Sequence, residues 1–156
     1  MRQLAALAFL LPAAVVACST DDILGGKSCT LASCEQGIEV AFTETQAGAY
    51  ALEIVIDGAT STCTTTLPLP ANETSSPCTS TDVILTRTGS ALPAAQQSIG
   101  GLRIARKDAK SVTVRITRDG ASVRDATFAP SYVVTPGPNG PGCEPETCSN
   151  ASFTLP

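Results

Sequence analysis

The chain has 156 residues and a net charge of −4, with two tyrosines, four phenylalanines, and neither histidine nor tryptophan. The missing histidine removes the commonest general base and metal ligand, and the acidic balance argues against nucleic-acid binding. Thr, Ser, Val, Gly and Pro are abundant, whereas long stretches of helix-forming residues are absent. The composition therefore favours short strands and turns.

The first seventeen residues have the pattern of an export signal. Arg2 gives a positive start, and the apolar run over residues 4–17 has about 14 residues, fewer than the roughly 20 needed to span a bilayer. The run closes on Val15-Val16-Ala17-Cys18, which resembles a lipobox, where small residues precede a cysteine that is acylated on sulfur. We therefore predict that residues 1–17 are a lipoprotein signal peptide, that Cys18 carries the lipid, and that residues 18–28 form an acylated tether.

The cysteine count supports this prediction. The chain has seven cysteines, and an exported protein with an odd number has a free or intermolecular thiol. Acylation of Cys18 leaves six, which can pair completely, whereas an ordinary secretory signal cut near Ala17 would leave Cys18 as a thiol. Because Ser19 rather than Asp follows, the segment resembles lipoproteins sorted to the bacterial outer membrane, on a face that the sequence leaves open. The acyl chains would make the membrane the first partner.

Eight stretches in the rest of the chain alternate apolar and polar residues or combine β-branched residues with flanking turn signals. They predict strands at residues 38–43, 50–57, 60–67, 82–88, 101–106, 111–118, 122–128 (with an extension to 134) and 151–155. Asp57-Gly58 and Asp119-Gly120 predict hairpin turns. Loops rich in proline are expected at 68–80 and 136–145, and residues 90–98 have room for one helical turn.

This order of elements predicts an all-β fold with a single domain over residues 29–156. Seven or eight short strands separated by turn signals are typical of an antiparallel β-sandwich, and immunoglobulin-like and transthyretin-like sandwiches are the leading architectures. A core tryptophan between paired cysteines is missing, which argues against a true antibody-type domain. The six cysteines predict that disulfides stabilise a core poor in aromatic residues.

Four of these cysteines occur as two similar motifs. Cys29 and Cys34 precede the first predicted strand, Cys143 and Cys148 precede the last, and both pairs have the spacing C-x4-C. If the first and last strands are neighbours, a cross-pair such as Cys34–Cys148 closes a loop of more than about 100 residues, worth about 4.7 kcal/mol. Local pairs would only stiffen two short loops. The sequence leaves this choice open.

Cys63 and Cys78 flank the first proline-rich loop, and we predict that they pair across about 15 residues, worth about 3 kcal/mol. A redox role is disfavoured because neither C-x4-C motif precedes a helical pattern that would lower a thiol pKa. A zinc site is disfavoured because histidine is absent and thiolates oxidise in an exported protein. Glu144 and Glu146 are interpreted as solvated loop charges. We therefore predict no catalytic residue, no metal site and no cofactor.

Charge is unevenly distributed along the chain. Residues 19–86 contain nine acidic residues and one basic residue, whereas residues 103–118 contain six basic residues and the single acid Asp108. Such asymmetry is typical either of solvated faces that suppress self-association or of a patch that attracts an anionic partner. The candidate patch comprises Arg103, Arg106, Lys107, Lys110, Arg115 and Arg118. Tyr132 is interpreted as a corner residue whose hydroxyl caps backbone groups.

Four segments of the mature chain have a recognisable layout. They are the C-x4-C motif before the first strand, TRDG-A-V at 117–123, FAPSY at 128–132 and PNGPGC at 138–143. On these segments the chain resembles a group of small, cysteine-rich bacterial lipoproteins of unknown role that have a β-sandwich domain. The resemblance implies export, anchoring and this fold, and it implies no catalytic residues.

These observations favour a non-enzymatic, membrane-anchored envelope lipoprotein that acts as a binding or structural module. Beyond the membrane, its expected partner is an envelope protein or a glycan, and not a nucleic acid. The alternative is an accessory subunit or degenerate envelope enzyme that needs a partner, which predicts a cleft with convergent polar groups and perturbed ionisation.

Overall fold

The computed structural model describes residues 29, 32–34, 36–71, 77–140 and 142–156. The predicted signal peptide (1–17) and the predicted tether with its lipidation site, Cys18, lie outside the described residues. In the part of the chain that is described, no helix is long and apolar enough to cross a membrane.

The described residues form nine β-strands in two sheets that pack face to face, so the predicted all-β sandwich is confirmed. The strands are β1 (Gly37–Glu44), β2 (Gly48–Ile56), β3 (Ala59–Leu67), β4 (Val83–Thr88), β5 (Ser98–Ile104), β6 (Val112–Arg118), β7 (Ala121–Phe128), β8 (Val133–Pro136) and β9 (Thr147–Thr154). A 3₁₀ turn at Ala94–Gln96 lies within the stretch where the sequence predicts a helical turn.

The strand count exceeds the predicted seven or eight because residues 122–134 do not form one continuous strand. The chain leaves β7 at Phe128 and passes through Ala129-Pro130, where proline lacks the backbone N–H that a ladder needs. It then enters the other sheet as β8, a separate four-residue edge strand.

The five-stranded sheet has the order β4-β5-β1-β9-β8. In its centre β1 is antiparallel to β5 and parallel to β9, with Ile38 opposite Ile104 on one side and opposite Ala151 on the other. The first and last strands are therefore neighbours, and they run in the same direction, so that this pair is parallel while the other described strand pairs of the sandwich are antiparallel. The direction of β9 is set by β8. The chain enters the five-stranded sheet on the edge strand β8, turns back, and returns as β9, which is antiparallel to β8 and parallel to β1.

The four-stranded sheet, β3-β2-β6-β7, consists of two hairpins joined through β2 and β6. The predicted turns are present, with Asp57 at φ 48° and Asp119 at φ 51°, and each is followed by a glycine at positive φ. Each turn also bonds to the other hairpin. The Asp57 N–H donates to the Ser111 carbonyl at 3.0 Å, and the Asp119 N–H donates to the Ala49 carbonyl at 2.8 Å. The two hairpins therefore hold each other's first strand in register.

The core lies between the sheets and follows the alternation seen in the sequence. Inward positions carry the buried side chains, among them Ile38, Val40, Leu52, Ile54, Leu102, Ile104, Val112, Val114 and Ile116, each no more than 1% exposed. Burying each such side chain stabilises the folded state by roughly 1.5–3 kcal/mol relative to leaving it exposed. Tyr50 is also buried, and its hydroxyl donates to the Gln46 carbonyl at 2.8 Å. Phe128 of β7 stacks on Phe153 of β9 with ring centroids 3.9 Å apart, which joins the two sheets beside β8.

One buried hydroxyl destabilises this core because it has no hydrogen-bond partner among the described residues. Thr65 faces inward on β3 at 7% exposure, and its Oγ1 has no hydrogen-bond partner among the described residues. A buried, unpaired polar group costs about 1–3 kcal/mol, and valine has nearly the same shape as threonine. We expect Thr65→Val to raise the free energy of unfolding by about 1 kcal/mol, measured by denaturant titration. Thr64→Val, at the exposed neighbouring position, should change the free energy of unfolding little. A clear loss of stability in Thr65→Val would show that the Thr65 hydroxyl does have a hydrogen-bond partner.

Candidate functional site

Two disulfides tie the segment before β1 to the segment around the start of β9. Cys29 bonds to Cys143 and Cys34 bonds to Cys148, each with a Cα–Cα distance of 5.8 Å and a sequence separation of 114. The pairing left open by the sequence is thus the cross-pairing between the two C-x4-C motifs. It follows from the parallel β1–β9 pair, which brings the beginnings of both strands to the same end of the sandwich. We call this region the disulfide end.

The third disulfide, Cys63–Cys78, is the pair that the sequence singles out. It holds residues 77–79 against the outer edge of β3. The Thr64 N–H donates to the Pro77 carbonyl at 2.9 Å, and the Thr79 N–H donates to the Thr62 carbonyl at 2.8 Å. An otherwise open edge of the four-stranded sheet is therefore covered at this point.

The disulfide arrangement predicts non-additive effects on stability. If one cross-pair is removed, the other still closes the long loop, so Cys34→Ser/Cys148→Ser should cost about 3 kcal/mol, the value for a short closed ring. Removing both cross-pairs opens the long loop as well and should cost about 5 kcal/mol more. Thiol titration of the denatured, non-reduced wild-type domain should find no free thiol from Cys29 onward. Additive losses in denaturant titration, or two reactive thiols in the native domain, would contradict the arrangement.

The loop between β5 and β6, residues 105–111, is fixed from two sides at this same end of the sandwich. The Tyr132 hydroxyl accepts a hydrogen bond from the Ala109 N–H at 3.0 Å and donates to the Arg106 carbonyl at 3.2 Å. Tyr132 is thus the corner residue that the sequence suggested. Burial raises the pKa of its hydroxyl, and the carboxylates of Asp108 and Asp57 act in the same direction.

Asp57 holds the loop from the other side. Its Oδ1 accepts hydrogen bonds from the backbone N–H groups of Lys110 and Ser111, both at 2.9 Å. These two bonds stabilise the carboxylate and lower the pKa of Asp57 below its usual value of 3.8, with smaller help from the charges of Arg106 and Lys110. Asp57 is therefore a structural turn residue.

A lowered pKa in the folded state gives a stabilising contribution that is full above the unfolded-state pKa and is lost as the pH falls through the lower folded value. Asp57→Asn keeps an oxygen acceptor and tolerates the positive φ, but it does not titrate. We expect its unfolding free energy to fall less steeply below about pH 4 than that of the wild type, with little change at neutral pH. Asp57→Ala should be less stable than the wild type both below about pH 4 and at neutral pH, because it loses the acceptor for both N–H groups. An unchanged acid dependence in Asp57→Asn would refute this role.

The six basic residues of the candidate anion-binding patch lie on several different surfaces of the fold. Arg115 lies on the outer face of the four-stranded sheet and bonds to Glu53 at 2.7 Å and Asp125 at 3.3 Å. These carboxylates raise its pKa. Arg118 is the last residue of β6, at the end away from the β5–β6 loop, and it donates to Gln46.

Arg103 lies on the outer face of the five-stranded sheet, opposite Glu39 in the strand register. Only Arg106, Lys107 and Lys110 share a site, the β5–β6 loop, where Arg106 is 3.7 Å from Asp108. Residues that are close in the sequence need not share a surface. Alternate residues of a strand face opposite sides of the sheet, and residues at the two ends of a strand lie far apart.

The structure contains a polar groove that the sequence did not suggest. It has a volume of about 360 Å³ and lies above the β1–β9 pair near the disulfide end. Glu39 and Ser152 are opposite each other in the register, as are Gly37 and Asn150. Val133 forms one wall, and Arg103 lines the other side.

Two features shape the groove floor and its end. Gly37 has φ 127°, and a Cβ there would lie 2.2 Å from the Ile104 carbonyl oxygen of β5, so the position must be glycine. Gln36 lies at the end of the groove and its amide donates to Cys34 Sγ at 3.4 Å and to the Thr147 carbonyl at 3.3 Å. The disulfide end therefore supports the groove directly.

A second hollow, of about 620 Å³, lies on the outer face of the four-stranded sheet over Ala49 and Ala51. Its polar groups are mostly used within the protein. Asp119 Oδ1 accepts from the Ala49 N–H at 2.8 Å, and the Thr117 hydroxyl donates to the Ala51 carbonyl at 3.3 Å. No group of three or more His, Cys, Asp or Glu side chains in the described residues is arranged to hold a metal ion.

Comparison with known proteins gives no family for this chain. No protein-family model, curated protein or solved structure matches it. The fold defines the class of protein, a disulfide-rich β-sandwich.

Proposed function

We propose that the protein is an exported, lipid-anchored envelope lipoprotein whose β-sandwich acts as a non-enzymatic binding or structural module. The lipid on Cys18 would hold it to the bacterial outer membrane, with residues 18–28 as the tether. The observation that carries the proposal is the pair of disulfides at the point where the N-terminal segment enters the fold. A segment that is fastened covalently at both Cys29 and Cys34 is suited to connect a folded domain to an anchor.

The chemistry of the fold supports export. Three disulfides are expected in an oxidising compartment, where they form and persist. Several polar side chains serve the fold, since Asp57, Asp119 and Tyr132 bond to backbone groups and Arg115 bonds to two carboxylates. A scaffold of this kind supports binding or structural work, with the outer surfaces of the sheets as its contact faces.

The anchoring part of the proposal is tested by labelling cells with a fatty-acid probe. We expect the wild-type protein to carry the label and to fractionate with the outer membrane. Cys18→Ala should lose both properties while its domain keeps three disulfides, because Cys18 is outside the six-cysteine framework. Ser19→Ala, a change at the next residue, is the matched control and should retain the label. Unchanged acylation in Cys18→Ala would refute the proposal, and crosslinking in intact cells would identify the partner.

A further inference from the structure

The groove above β1 and β9 has a regular set of polar groups. In a parallel pair, neighbouring strands are about 4.8 Å apart and alternate residues on one strand are about 6.6 Å apart. Glu39, Ser152 and Asn150 therefore occupy three corners of a small rectangle on the exposed face, and Gly37 occupies the fourth without a side chain. A carboxylate, a hydroxyl and an amide thus surround an open floor.

These three side chains are not used by the fold. Glu39, Asn150 and Ser152 are exposed, and their side chains have no hydrogen bond or ion pair with other described residues. The second hollow differs in this respect, because Asp119, Thr117 and Thr66 there are engaged with backbone groups of the protein. The groove on the five-stranded sheet offers the larger unused hydrogen-bonding capacity of the two.

The charge of the groove indicates an uncharged ligand. Glu39 and Arg103 lie opposite each other across β1 and β5, so the described residues of the lining carry one negative and one positive side chain. A carboxylate accepts hydrogen bonds, an amide and a hydroxyl both donate and accept, and the exposed Val133 adds an apolar wall. A ring with hydroxyls at its rim and C–H groups on its face matches this combination.

We propose that this groove binds one sugar ring of a neutral glycan. The inference depends on the proposed function, since it names the ligand class of the binding module. With about a dozen ligand atoms in contact and no aromatic side chain among the described lining residues, the affinity for one ring is expected to be weak, with a Kd of about 1 mM. Many anchored copies facing a polymeric glycan would bind more strongly through avidity.

The test uses the mature chain from residue 18 with Cys18→Ser, produced in an oxidising compartment. It is titrated by NMR with three uncharged tetrasaccharides: cellotetraose, maltotetraose and the tetramer of N-acetylglucosamine. We expect at least one of them to shift the backbone amide signals of Gly37, Asn150 and Ser152 in a saturable manner. Glu39→Gln and Ser152→Ala should each weaken binding about fivefold, the loss of one hydrogen bond. Thr64→Ala removes an exposed hydroxyl beside the other hollow and should leave the affinity unchanged.

Three results would overturn the inference. These are the absence of shifts with all three oligosaccharides, shifts centred on Thr64 and Ala51 instead, and tighter binding of an acidic oligosaccharide such as tetragalacturonate. The assay contains no lipid anchor, so its failure leaves the fatty-acid labelling result intact. A failure of labelling in turn leaves the sugar titration valid.

Discussion

The parallel pairing of β1 with β9 is the constraint on which the other features depend. It places the first and last strands side by side in the centre of the five-stranded sheet, with Ile38 next to Ala151 in the core. Because the two strands run in the same direction, their beginnings meet at one end, and the two C-x4-C motifs meet there too. The cross-linked cysteines, the position of Gln36 and the polar groove all follow from this arrangement.

Much of the fold could be read from local patterns. Alternation located β1, β2, β4 and β6, and the Asp-Gly pairs located both hairpin turns, because the positive φ that such turns require is favourable for few residues. Cys63 and Cys78 are close along the chain and flank a loop, so their pairing is also a local property. The direction of β9 relative to β1 is a property of the whole topology, and no residue within either strand specifies it.

The surface was harder to predict for the same reason. Arg103 and Arg115 are twelve positions apart, yet they lie on the outer faces of opposite sheets, because the chain crosses the sandwich between β5 and β6. Glu39 and Ser152 are 113 positions apart and are direct neighbours. The alternation shows that each faces solvent, but only the strand order shows that they face solvent together. Tyr132 was accessible to sequence reasoning because its role needs only nearby backbone groups after a proline turn.

The covalent bridge from Cys29 to Cys143 also determines how the domain carries a mechanical load. Tension on the chain before residue 29 divides at that bridge and enters the loop that leads into β9, and at Cys34 a second bridge connects to β9 itself. The tension is then shared between β1 and its neighbour β9. A pull from the N-terminal side therefore does not peel β1 away from the sheet on its own. Shearing two strands at once requires many hydrogen bonds to break together, whereas peeling breaks them one after another. The domain is thus built to resist force applied through its N-terminal segment.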